Sequence, residues 1–310
     1  MRRFVSLARV AALETLSEPL SAVLFLSAFL AAHVLPAFHC RQFGEAGRLA
    51  RECGFSTLLV FGVVFAASAA LASMTREFES GTAAAALATG VSRHLFFAAK
   101  VAGVLVALLF FAAGALCATS LAVASSRIGA ELAAEGRASY AVWGGGVALG
   151  VLPAVAAFAL AAAANRFANV RFCPCACVGL VASQACGVAV AAALCRGSAH
   201  SPLAAMADVA PAWTVLFAGA CAFVAMSGAL STHLKPAPAG ALLVFFVALS
   251  FLRPIRAILP DAHLFWRVDE LSNGGAFTWQ TALPALAAGA ALVALWMFAG
   301  AWLAGRRELA

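Results

Sequence analysis

Residues 95–124 read LFFAAKVAGVLVALLFFAAGALCATSLAVA, an apolar run interrupted by a single charge, Lys100. About 20 such residues in a helix cross the hydrocarbon core of a bilayer. The run is therefore long enough to span a membrane. The rest of the chain has the same character: 64% of residues are hydrophobic, only 11% are charged, and the mean hydropathy is +0.98. Soluble domains have about 45–50% apolar and about 25% charged residues. A fold of 310 residues has too little interior to hide this much apolar surface from water. The composition excludes a soluble enzyme, a disordered chain and a secreted disulfide scaffold.

Outward from 95–124, further apolar segments lie near 20–38, 54–74, 142–164, 173–195, 214–230, 239–252 and 281–304. They lack the alternation of barrel strands, and backbone groups in lipid must pair within the segment, so helices are expected. Seven of the eight segments are long enough to span. Segment 239–252 is short, preceded by Pro236 and Pro238 and closed by Arg253-Pro254. It reads as a thin span or as half of a re-entrant hairpin with 214–230. The expected fold is an all-α polytopic transmembrane helical bundle of six to eight spans, forming a single domain over 1–310.

Charge sets the orientation. With both termini inside, the inner ends hold Arg2, Arg3, Arg9, Arg76, Arg93, Lys100, Arg166, Arg171, Lys235, Arg306 and Arg307, eleven basic residues in short loops. The outer loops hold the other nine of the 20 basic residues over a longer stretch. The higher basic density inside favours N-in and C-in. Trp143, Trp213 and Trp279 then fall at outer span ends, where interfacial tryptophans belong. The first span does not read as a cleaved signal peptide: its leader, residues 1–18, is long, contains Glu14 and Glu18, and precedes seven more apolar segments. Residues 1–18 read as an interfacial helix with Phe4, Leu7 and Ala11 toward lipid, or as an ordinary basic flank.

The chain has two lysines, Lys100 and Lys235, followed by Val101 and Pro236. Neither fits G-x-x-x-x-G-K-[ST], so no P-loop is present. The inner connection 75–94 contains Thr75-Arg76-Glu77-Phe78-Glu79-Ser80-Gly81-Thr82, an alanine-rich run, and Gly90-Val91-Ser92-Arg93. It predicts a short helix over 82–89, with acids before it and a base after it, as the helix dipole favours. So thin an apolar helix at a membrane surface suits docking into a groove on another protein, or packing as a connector on its own bundle.

The stretch REFESGTAAAALATGVSRHLFFAAKVAG (76–103) resembles the coupling segment of ABC type 2 transporter permeases. There an acidic-x-x-x-G-T leads a short helix, followed by small-V-S-R and a lysine at the head of the next span. Glu77, Glu79, Gly81, Thr82, Val91, Ser92, Arg93 and Lys100 match in order. LPDAHLFWRVDELSNGGAFTW (259–279) resembles the outer segment (253–280 here) before the last span in the copper-enzyme-maturation and gliding-type branch. WLAGRREL (302–309) resembles its basic tail. The resemblance implies the permease subunit of an exporter in a bacterial inner membrane. It also implies a separate ATP-binding subunit that carries ATP and Mg, and a second permease copy, identical or closely related. It offers no role for nucleic acid. The chain departs from the usual six spans: 158–187 and 224–251 both read as span, polar break, span, and either fits the family's fourth-and-fifth-span hairpin.

Other residues carry weaker signals. Cys173, Cys175 and Cys177 form a C-P-C-A-C run, a candidate soft-metal site. On a helix, however, 173 and 177 share a face that 175 does not, and a packing role is the stronger expectation. Cys40 and Cys53 share the first outer loop and form either a disulfide or two thiols. His33 and Lys100 are the ionisable residues inside spans, usually a mark of function. His33 alone reads as a packed residue, and Lys100 as able to reach the inner surface along its stem. Asp261, His263, Asp269 and Glu270 read as a cation site or as the charged face of an interfacial helix. No catalytic constellation appears within the spans. A permease-like scaffold or sensor, or an enzyme with its groups in 253–280, are the competing expectations. Small apolar span residues suit an amphipathic cargo.

Overall fold

The computed structural model describes residues 2–38, 46–79, 90–134, 146–195, 201–250 and 278–306. Among them the ordered elements are helices, with no strand. They are α1 (Arg2–Ser17), α2 (Pro19–Val34), α3 (Ala46–Glu79), α4 (Arg93–Ala134), α5 (Leu152–Ala168), α6 (Phe172–Leu194), α7 (Pro202–Ser231), α8 (Pro236–Ser250) and α9 (Trp279–Arg306). A one-turn 3-10 helix, Leu35–Phe38, follows α2, and a π-helical turn, Val147–Val151, leads into α5. Six helical stretches are long and apolar enough to cross a membrane: Gly47–Glu77, Arg93–Ile128, Val147–Ala168, Phe172–Leu194, Pro202–Ser231 and Trp279–Arg306. The chain is a multi-pass membrane protein.

Among the described residues, the two remaining apolar segments are helices too short to span alone. The first, expected over 20–38, is helical only to Val34 before Pro36 and the 3-10 turn. It joins α1 through a 68° bend, and α1 and α2 together pass as one broken span. The bend follows from Glu18-Pro19. A residue before proline is pushed to extended backbone, and Glu18 has φ −68° and ψ 134° while Pro19 opens the next helix. Helix α8 has 15 residues, about 22 Å at 1.5 Å per residue, short of a core about 30 Å thick.

Two expectations need correction. The Phe4–Leu7–Ala11 face of α1 does not face outward. Ala11, Ala12 and Thr15 are buried, while Val5, Val10 and Leu13 are exposed. The reason is Gly103 of α4: a Cβ there would lie 2.5 Å from Ala11 Cβ and 2.5 Å from the Ala8 carbonyl oxygen. The bare backbone lets α1 settle against α4 on its small-residue face. Trp213 is not an interfacial tryptophan at a span end. Helix α7 begins at Pro202 and continues through Pro211, so Trp213 lies inside it, buried, with its ring 6.4 Å from that of Phe55. Trp279 is exposed at the start of α9. Trp143 lies outside the described residues.

The chain forms two compact units: Met1–Leu16, Gly62–Leu109 and Thr214–Ala310 make the first, Ser17–Phe61 and Phe110–Trp213 the second. In the first, Phe97 is a central side chain. A Cβ on Gly300 would lie 2.2 Å from its ring, and one on Gly228 would lie 3.0 Å from Val101. In the second, Phe25, Phe29 and Phe111 form a ring cluster with centroids 5.0–6.2 Å apart. Helices α5 and α6 are joined by a tight turn in which Asn169 takes φ 53°, a conformation asparagine tolerates better than most residues. Asn165 Nδ2 donates to the Val170 carbonyl at 2.8 Å, closing that turn.

Candidate functional site

Three helices of the first unit bring charge together. Lys100, two turns into α4, is 1% exposed, and its ammonium donates to Glu14 Oε2 of α1 at 2.9 Å and to Glu77 Oε1 of α3. Lys100 therefore does not reach for the surface. The carboxylates come to it, so its stem need not extend to water. Taking an ammonium out of water costs several kcal/mol, and only well-placed partners offset it. The partners are unequal: the Glu77 side chain is 15% exposed and that of Glu14 43%. Glu77 is thus the buried counter-charge, while Glu14 is a partly solvated tie to α1.

This cluster sits where α3 and α4 bracket the segment singled out in the sequence. Glu77 lies in the last turn of α3 and Glu79 is its final residue. Gly81, Thr82 and the expected helix 82–89 lie outside the described residues. On the far side, Gly90 takes φ 81°, a left-handed backbone that glycine adopts without strain. Ser92 then caps α4: the Leu95 N–H donates to its Oγ at 3.3 Å, the bond an N-cap serine makes to the third residue of its helix. The match to small-V-S-R thus has a local physical meaning, a turn followed by a helix cap.

Arg93 and His94 hold the end of α9. Arg93 Nη1 donates to the Gly305 carbonyl at 3.3 Å and His94 Nδ1 to the Ala301 carbonyl at 2.8 Å. From the turn after α7, His233 Nε2 donates to the Leu303 carbonyl at 3.1 Å. The last four carbonyls of a helix have no partner within it; Leu303 and Gly305 are among those four in α9, and basic side chains at a helix end also suit the dipole. Arg306 adds a guanidinium 3.9 Å above the Trp302 ring. These contacts make Arg93 a clamp between the start of α4 and the end of α9.

A second buried polar group lies in the other unit. His33 of α2 meets Gln184 Oε1 of α6 at 2.8 Å, and Gln184 Nε2 donates to the Gly150 carbonyl of the π-helical turn at 3.1 Å. His33 Nδ1 is buried without a hydrogen-bond partner. An unmet buried polar atom costs about 1–3 kcal/mol. Ionisable side chains within the spans point to His33 but not to its partner Gln184, which carries no charge. An amide inside the apolar run 173–195 was the signal to follow. Glu14 was missed as a partner of Lys100 because 86 residues separate them.

The cysteines do not converge. Cys173 and Cys175 are half-buried in the first turn of α6 and Cys177 is buried. Among the described residues no group of three His, Cys, Asp or Glu side chains is placed to hold a metal ion. Cys53 is a free, half-buried thiol on α3. Cys40 lies outside the described residues, as do Asp261, His263, Asp269 and Glu270. Comparison with known proteins adds no relative: no family model, no curated protein and no solved structure matches the chain.

Proposed function

We propose that this chain is the membrane-spanning permease subunit of an ATP-driven ABC transporter, an exporter working with a separate ATP-binding subunit and a second permease copy. The observation that carries the reading is the ordered match over 76–103, held between two long apolar helices, in a chain without a P-loop. The ATP-binding subunit docks on residues 77–93, between the last turn of α3 and the cap of α4. Glu79, Gly81 and Thr82 lead the docked segment, while Val91, Ser92 and Arg93 close it. Glu77 and Glu79 are the expected polar contacts with the partner, and Glu77, paired with Lys100, also anchors the segment to the bundle. When ATP closes the partner pair, displacement of the docked segment pulls on Glu77 and Arg93. Through them it reaches Lys100, α1 and the end of α9. The cargo is amphipathic, in keeping with the small apolar span residues.

Purification from native membranes in mild detergent tests the reading. A P-loop ATPase retained at a fixed ratio, with ATP turnover in liposomes that Gly81→Pro abolishes while the complex stays assembled, is the expected result. A chain that purifies without any ATPase, or turnover unaffected by Gly81→Pro, sinks it and favours a permease-like scaffold or sensor.

A further inference from the structure

The contact between α2, α6 and the π-helical turn fixes one hydrogen-bonding state. The Gly150 carbonyl can only accept, so the Gln184 group 3.1 Å away is its amide NH2; a flipped amide would set two oxygens against each other. Gln184 Oε1, also an acceptor, then faces His33 Nε2 at 2.8 Å. His33 Nε2 must carry a hydrogen. A neutral imidazole has one N–H, and it is spent on Gln184. Nδ1 is left as a bare acceptor on a side chain 8% exposed.

The ring is also locked in place. A Cβ at Gly150 would stand 2.3 Å from its Cε1 and Nε2 atoms, so the glycine backbone presses on the imidazole face. The π-helical turn that supplies Gly150 is a rare feature, found mostly as single turns and often at functional sites. An ionisable group held this way inside a membrane-spanning bundle is by default a candidate functional site.

We propose that His33 Nδ1 is the recognition atom of a binding site for a neutral O–H donor, either the hydroxyl of a membrane-borne ligand or an internal water. The chemistry excludes the other classes. An anion finds no donor, because the only ring N–H is taken. A metal ion finds too few ligands, since among the described residues no set of three ligating side chains exists. A charged amine finds no carboxylate against the ring, whose recorded polar partner is Gln184. The inference does not depend on the transporter reading.

The test uses the full chain in lipid nanodiscs with 15N-labelled histidine. The His33 resonances are assigned by their loss in His33→Asn or, if that variant misfolds, by their displacement in Gln184→Leu. The expected spectrum has Nε2 protonated and Nδ1 unprotonated but hydrogen-bonded. 1-Octanol, which donates, and its methyl ether, which cannot, are then added in turn. A shift of Nδ1 with octanol alone supports the site and makes the source a ligand hydroxyl. A water-to-Nδ1 transfer that octanol leaves intact supports the site and makes the source water. A protonated Nδ1, or equal responses to alcohol and ether without any water transfer, overturns the proposal.

Discussion

Removing Glu77 should cost far more than removing Glu14, although both carboxylates touch the same lysine. With Glu77→Gln the Lys100 ammonium, 1% exposed, keeps only Glu14, whose side chain is 43% exposed. Breaking a buried pair by removing one partner costs about 3–5 kcal/mol. Because Glu14 stays 2.9 Å away, the lower end, about 3 kcal/mol, applies. Glu14→Gln removes a solvated partner, and exposed pairs contribute about 0–1 kcal/mol. The double variant Lys100→Met with Glu77→Gln leaves no buried charge and should return to within about 1 kcal/mol of the parent, since apolar replacement of a buried pair is often neutral. Equilibrium unfolding by SDS in mixed micelles measures these proteins, and the single variant Lys100→Met, measured beside the parent, Glu77→Gln and the double variant, closes the double-mutant cycle. Equal losses for Glu14→Gln and Glu77→Gln, or a double variant as unstable as the sum of its singles, would refute the assignment of Glu77 as the buried counter-charge.

Three further outcomes follow from local geometry. Gly103→Val places side-chain atoms in the backbone of α1, an overpacking worth about 1–3 kcal/mol; spin labels on α1 and α4 should report their separation increasing. Gly300→Ala drives a methyl into the Phe97 ring, whereas Gly179→Ala meets Ala157 at an ordinary 3.5 Å. The first should lower thermal stability in detergent and the second leave it unchanged. Ser92→Ala removes the α4 cap, at a cost of about 1 kcal/mol, which Ser92→Asp should restore; hydrogen exchange at Arg93–Leu95 is the measure.

The spans were legible because composition alone forces them: a run such as 95–124 has no soluble alternative. Their limits were less so. The apolar segment read over 214–230 starts after Pro211, yet α7 begins at Pro202 and passes through it, since the freed backbone groups in a bundle can be satisfied by neighbours. Pro36, by contrast, does end the first apolar segment in a 3-10 turn. Segment 76–103 stood out in the sequence as a motif, but not the inward turn of Glu77, whose carboxylate pairs with a lysine on the next helix. Pairings such as Glu14–Lys100 and His33–Gln184 exist only once the helices pack. Periodicity along one segment carries no trace of a partner on another.

Cysteine crosslinking reads out the docking of an ATP-binding subunit on residues 77–93. Single cysteines at 79 and 83, in a background depleted of the native nine, are placed in the chain in native membranes and treated with a short bifunctional reagent. A covalent adduct with an ATP-hydrolysing subunit is expected from both positions, with a yield that changes on adding ATP. Positions in 165–172, whose connection between α5 and α6 spans only 169–171, should stay unlinked. Silence at 79 and 83 with efficient crosslinking from 165–172 would contradict the docking site, and no ATPase adduct from either region would contradict the transporter assignment.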